Sequence, residues 1–99
     1  MTIEEIKSEN RIQLNVEGKI DTISYMDFQN AVLKSFQKSN DIVINMEQVQ
    51  YISSAGLRAL FLGQKTASSK GGSLKIINVP DSVKDICRVT GFEKVLDIR

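Results

Sequence analysis

The segment DIVINM, residues 41–46, places three β-branched residues side by side, Ile42, Val43 and Ile44, with no polar residue between them. β-Branched side chains favour extended backbone. A strand that is apolar at every position has the pattern expected of one covered on both faces, at the centre of a sheet with helices packed on it. An amphipathic helix would show a period of 3.6 here, and a half-wet strand a period of 2. The segment therefore predicts an α/β architecture, and the rest of the chain must supply the neighbouring strands and the helices.

It does so in regular alternation. In RIQLNVEG, Ile12, Leu14 and Val16 fall on one face and Arg11, Gln13, Asn15 and Glu17 on the other, a half-buried strand. The preceding TIEEIKSE has only Ile3 and Ile6 and reads as a short edge strand, joined to the next through a turn near Glu9 and Asn10. From Ser24 to about Lys38, Phe28, Ala31, Val32 and Phe36 recur at helical spacing, with Asp21, Thr22 or Ser24 available as caps. A second helix is expected from Ser54 to about Ser69, stopped by Gly71 and Gly72. The strand SLKIINV follows. Pro80 suits the first turn of a short helix over DSVKDICRV, Gly91 ends it, and FEKVLDI reads as a last short strand. The order β-β-α-β-α-β-α-β predicts a mixed, mostly parallel sheet packed with helices, with right-handed crossovers between parallel strands. At 99 residues and 41% hydrophobic content the chain supports one core, hence a single domain over residues 1–99.

Composition removes several functions. Thirteen Lys and Arg against 12 Asp and Glu give no electrostatic case for a nucleic-acid partner. No run of about 18 apolar residues suggests a membrane span, and the start MTIEEIKSEN does not resemble a signal peptide. The single cysteine, Cys87, has no partner for an internal disulfide and belongs to no CxxC pair, so a reducing, cytoplasmic setting is expected. The chain has no histidine, which removes the Ser-His-Asp triad, imidazole metal sites and the commonest general base. No catalytic residue, metal site or cofactor is expected. The phosphate-loop motif GxxxxGK[ST] does not occur, and KGGSLK reads as a helix stop followed by a strand.

The stretch YISSAGLRAL, residues 51–60, puts Ser53 and Ser54 where a strand gives way to a helix. Serine is a leading helix cap, so one hydroxyl is expected to accept from a free amide of the first turn. Two hydroxyls followed by Ala55 and Gly56 leave little bulk at the helix mouth, so another protein's active site can reach a serine there. A phosphate would add about −1.5 to −2 charges beside the positive end of the helix dipole, which the fold can tolerate and a docked partner cannot. A hydrolase elbow is disfavoured, because ISSAG lacks a glycine two residues before either serine. Along the helix, Gly56, Ala59, Leu60, Gly63 and Ala67 gather on one small-residue face that suits close packing on the sheet. Leu57 and Phe61, an i, i+4 pair flanked by Arg58, lie away from that centre; they are read either as the rim of the core or as a partly exposed docking patch.

Taken together, GKIDT, DIVINM, YISSAGLRAL, KGGSLKIINV and VKDICRVTGFEKVLDI resemble a STAS domain of the stand-alone bacterial anti-sigma factor antagonist type, over essentially the whole chain. The resemblance implies a switch. The unmodified protein binds an anti-sigma factor that is also a serine kinase and so frees the sigma factor; phosphorylation ends binding, and a PP2C-type phosphatase reverses it. Aligning the family motif on Gly56 and Leu57 places the acceptor at Ser54, with Ser53 as the alternative. Ala55 then stands at a second hydroxyl position, while Ser53 and Asn45 stand where the family often has aspartate. Asp21 matches an acidic position expected near the phosphosite, and also reads simply as a turn or helix cap. A different reading is a constitutive subunit of a lipid-transport or stress-signalling assembly, in which Ser54 is only structural.

Overall fold

A computed structural model describes all residues 1–99. Strand β1 (Thr2–Lys7) is followed by β2 (Ile12–Ile20), helix α1 (Tyr25–Lys38), β3 (Asp41–Ile52), helix α2 (Ser54–Ser69), β4 (Ser73–Ile77), helix α3 (Asp81–Thr90), a 3-10 turn (Phe92–Lys94) and β5 (Asp97–Ile98). The predicted order of elements is the observed one. The five strands form one sheet in sequence order, β1 antiparallel to β2 and the other neighbours parallel.

That order decides where the helices go. Each parallel crossover advances one strand in the same direction, and right-handed crossovers that all advance the same way stack their helices on one face. The core accordingly lies on one side of the sheet, joining Ile12, Leu14, Ile42 and Ile44 to Phe28, Val32 and Phe36 of α1, Leu57, Leu60 and Ala67 of α2, and Val83 and Cys87 of α3. β3 is the central strand and is covered on both faces, as its pattern predicts, but the helices lie on only one of them. Ile42 and Ile44 face the helices, whereas Val43 points to the open face and is only 4% exposed because its register partners Gln13 and Lys75 flank it. Long side chains on neighbouring strands cover apolar surface without a second helical layer.

The open face carries a chain of amides. Gln13 Nε2 donates to Asn15 Oδ1 (2.8 Å), Asn45 Nδ2 donates to the same oxygen (3.1 Å), Asn15 Nδ2 donates to Glu4 Oε1 (3.1 Å), and Asn78 Nδ2 donates to Asn45 Oδ1 (3.2 Å).

Other boundaries differ in detail. β3 runs on through Ile52 with register shifts after Asn15 and Gly18 of its partner, so its buried positions pass from Ile44 and Met46 to Val49 and Ile52. Pro80 is the N-cap of α3 and not part of its first turn. FEKVLDI is strand only at Asp97 and Ile98, because Phe92–Lys94 close a 3-10 turn first. Gly71 (φ +66°) and Gly91 (φ +81°) take the left-handed conformation past α2 and α3, as their positions predict.

Candidate functional site

The carboxyl ends of parallel strands are where open α/β sheets present their sites. Here β2 ends at Ile20 and β3 at Ile52, and the two ends are tied together: Ser53 N donates to the Ile20 carbonyl at 2.8 Å. The loop from Asp21 to Ser24 therefore runs beside the start of α2.

The two serines take different positions. Ser53 is extended (φ −87°, ψ 172°), is 7% exposed, and its Oγ accepts from Gly56 N at 3.2 Å, while its carbonyl accepts from Leu57 N at 3.0 Å. It is the cap. Ser54 is the first helical residue and is exposed. No acidic residue occupies the first turn of α2.

Gly56 explains how the mouth of α2 reaches the sheet. A Cβ there would lie 2.7 Å from Ile52 Cγ1, 2.8 Å from Ile20 Cγ2 and 3.3 Å from the Ile20 carbonyl. Only a residue without a side chain lets the helix start this close to both strand ends. Gly63 does the same further along, with Val32 Cγ1 at 2.9 Å and Leu74 Cδ2 at 3.1 Å from its would-be Cβ. The small face read from the sequence is thus the buried face, since Gly56, Ala59, Leu60, Gly63 and Ala67 are all buried.

Leu57 is a correction. It was expected beside Phe61 as a possible docking residue, but it is 1% exposed and belongs to the core. Its burial comes from packing in the common core, which sequence periodicity within α2 does not register. Phe61 is half-buried, with its ring edge-on to Phe92 at 6.1 Å and Lys65 Nζ 5.6 Å from its centre. Ser54, Arg58, Phe61 and Lys65, at spacings of four, three and four, mark the outer stripe of α2, and Arg58 is exposed. Ala55 is half-buried beside Ser54.

Asp21 shapes the neighbouring loop. Its Oδ1 accepts from Ile23 N (3.0 Å) and Ser24 N (2.9 Å), and the Ser24 hydroxyl proton is shared between that oxygen (3.1 Å) and the Lys19 carbonyl (2.8 Å). The Ser24 amide first, then the Ile23 amide and the Ser24 hydroxyl, hold the Asp21 carboxyl below the usual aspartate range. The carboxylate thus acts as the cap of the turn into α1, while Ser24, at the N-cap position, makes no side-chain cap bond of its own.

Three exposed apolar residues flank these elements without a role in the sequence analysis: Ile23 is 90% exposed, Met26 44% and Tyr51 45%. Ile23 precedes the first helical repeat and Tyr51 is the penultimate residue of β3, so neither stands out in a periodic pattern; the available signal is an isoleucine inside a polar turn.

A rim of parallel-strand ends, with a capped helix presenting a serine, defines a class. The family model of the STAS domain matches residues 2–99, and the chain belongs to that family. More particularly, it is similar to the anti-sigma-B factor antagonist of Bacillus subtilis (strain 168), with 31% identity over 93 residues, spanning 93% of this chain and 84% of the relative. The anti-sigma-B factor antagonist of Staphylococcus aureus (strain NCTC 8325 / PS 47) is 25% identical over 100 residues, covering 99% and 92%. Among solved structures, the anti-sigma factor antagonist SpoIIAA in its unphosphorylated form superposes with a TM-score of 0.82 at 11% identity, covering 99% of this chain and 88% of that one. The phosphorylated form of the Bacillus protein gives 0.76 at 12% identity, covering 99% and 91%. At such identities the two structures establish the fold. No helix of the chain is long and apolar enough to cross a membrane.

Proposed function

We propose that this protein is an anti-sigma factor antagonist, a regulatory binding protein and not an enzyme, whose unmodified form binds a kinase-type anti-sigma factor and whose binding is switched off by phosphorylation of Ser54. The similarity to proteins named anti-sigma-B factor antagonists supports the class of partner. The observation that carries the acceptor assignment is the division of labour at the helix mouth: Ser53 is buried and engaged as the cap, whereas Ser54 is exposed beside it.

A kinase needs an accessible hydroxyl with room around it, and Ser54 next to Ala55 and Gly56 offers one. The phosphate then sits at a helix start that has open amides and no acidic neighbour in its first turn, so the domain accepts the charge. The partner's surface, docked on a neutral hydroxyl, meets instead a doubly charged group that it must desolvate or repel. A PP2C-type phosphatase resets the switch. In this reading the nearby Asp21 acts by shaping the rim, and Arg58 with Phe61 extends the contact along α2.

The test is a pull-down from native lysate with wild-type, Ser53→Ala and Ser54→Asp baits, each checked for folding, with retained proteins identified by mass spectrometry. An ATP-binding anti-sigma factor held by the first two baits and lost from Ser54→Asp is the expected result. Equal retention of transporter or scaffold components by all three baits overturns the switch and favours a constitutive assembly subunit.

A further inference from the structure

The chain has four arginines, and three of them are paired with a carboxylate: Arg11 with Asp41 at 3.0 Å, Arg88 with Asp85 at 3.1 Å and Arg99 with Asp97 at 2.9 Å. Arg58 alone has no ion pair. Its own helix cannot supply one, because the 16 residues of α2 include neither Asp nor Glu.

Arg58 stands one turn beyond Ser54. Residues four apart on a helix are surface neighbours, with Cβ atoms about 5–6 Å apart. Helical side chains lean toward the N-terminus and lie over the preceding turn, so the long Arg58 side chain is directed back toward Ser54. Both residues are exposed, while Gly56 and Leu57 between them are buried and Ala55 is half-buried, so no large side chain of α2 separates the two. The next cation on the stripe, Lys65, is about 16 Å along the axis from Ser54 and lies over the Phe61 ring.

A serine hydroxyl gives the guanidinium no charge to pair with. A phosphate does: it brings about −1.5 to −2 charges and three acceptor oxygens, which a planar guanidinium meets two at a time. The order along the helix is the favourable one, with the anion N-terminal to the cation. We propose that Arg58 is the internal partner of the Ser54 phosphate: in the modified protein the guanidinium folds back one turn, pairs with the phosphate and holds it over the first turn of α2. The inference rests on the modification of Ser54 in the proposed function and adds the residue that receives the phosphate. The modified state then presents a charge fixed in position on the outer stripe of α2.

The test places phosphoserine at position 54 during synthesis, through a reassigned codon, in wild type, Arg58→Gln and Arg58→Lys, and follows the phosphorus resonance from about pH 4 to 8 at low salt. An unpaired phosphoserine loses its second proton near pH 6. The wild-type phosphate is expected to lose it about half a pH unit lower than the phosphate of Arg58→Gln, with Arg58→Lys between them because an ammonium lacks the planar fork. The difference should shrink in about 1 M salt. Equal titration of wild type and Arg58→Gln overturns the pairing, and so does a difference of the same size in urea-unfolded protein, where no helix brings the two residues together. Because the phosphate is installed without a kinase, the two proposals fail separately: a wild-type bait that retains no anti-sigma factor fails the proposed function, whereas phosphoproteins that titrate alike fail the pairing.

Discussion

Ser53 and Ser54 are the same residue type one bond apart, and backbone direction alone separates their roles. The extended conformation of Ser53 turns its Oγ back toward Gly56 N, while Ser54, already helical, faces outward. Replacing Ser53 by Ala should therefore lower stability by about 1 kcal/mol, the usual cost of an N-cap, whereas Ser54→Ala should stay within about 0.5 kcal/mol of wild type. Urea denaturation of the two variants checks this; equal costs would remove the distinction on which the acceptor assignment rests. Asp21 has a pH signature at the same scale. An ordinary aspartate titrates near 3.8, and the folded value here is lower, so the stability that Asp21 contributes is present above about pH 4 and lost as pH falls through the folded value. The amide resonances of Ile23 and Ser24 should shift in that acid range, and Asp21→Asn should abolish the shift.

At the scale of elements, α2 holds the site because it can approach two strand ends closely. Gly56→Ala gains up to about 1 kcal/mol of helix propensity but inserts a methyl against Ile52 and Ile20, a crowding cost of about 1–3 kcal/mol. Crowding should win: the variant is expected to unfold at lower urea. A stability gain on urea denaturation would show that the contact relaxes freely. The same element shows how a helical wheel misassigns a residue at its edge. Leu57 lies off the small-residue centre, yet it is buried with the core while Phe61 meets Phe92 of the following 3-10 turn.

At the scale of the whole molecule, every parallel crossover advances in one direction and all three helices share one core, so the sheet keeps a face without helices. That face is managed by side-chain amides of Gln13, Asn15, Asn45 and Asn78, which satisfy one another across neighbouring strands. Asn45 has a structural reason in this chain: it donates to Asn15 and accepts both from Asn78 and from the Glu47 amide. An aspartate at 45 could not make the donation to Asn15.

The sequence by itself determined the order and type of nearly all elements, the α/β class, the small-residue face of α2, the glycine stops and the pair of serines at a helix mouth. Those features are local: they follow from side-chain periodicity, β-branching and backbone freedom within a few residues. Tertiary structure alone decided which serine is buried as the cap, that Leu57 faces the core, and that β3 has one face without helices. Each of these depends on what distant segments bring close, Ile20 to Ser53, the common core to Leu57, Gln13 and Lys75 to Val43, and spacing along the chain carries no record of such encounters.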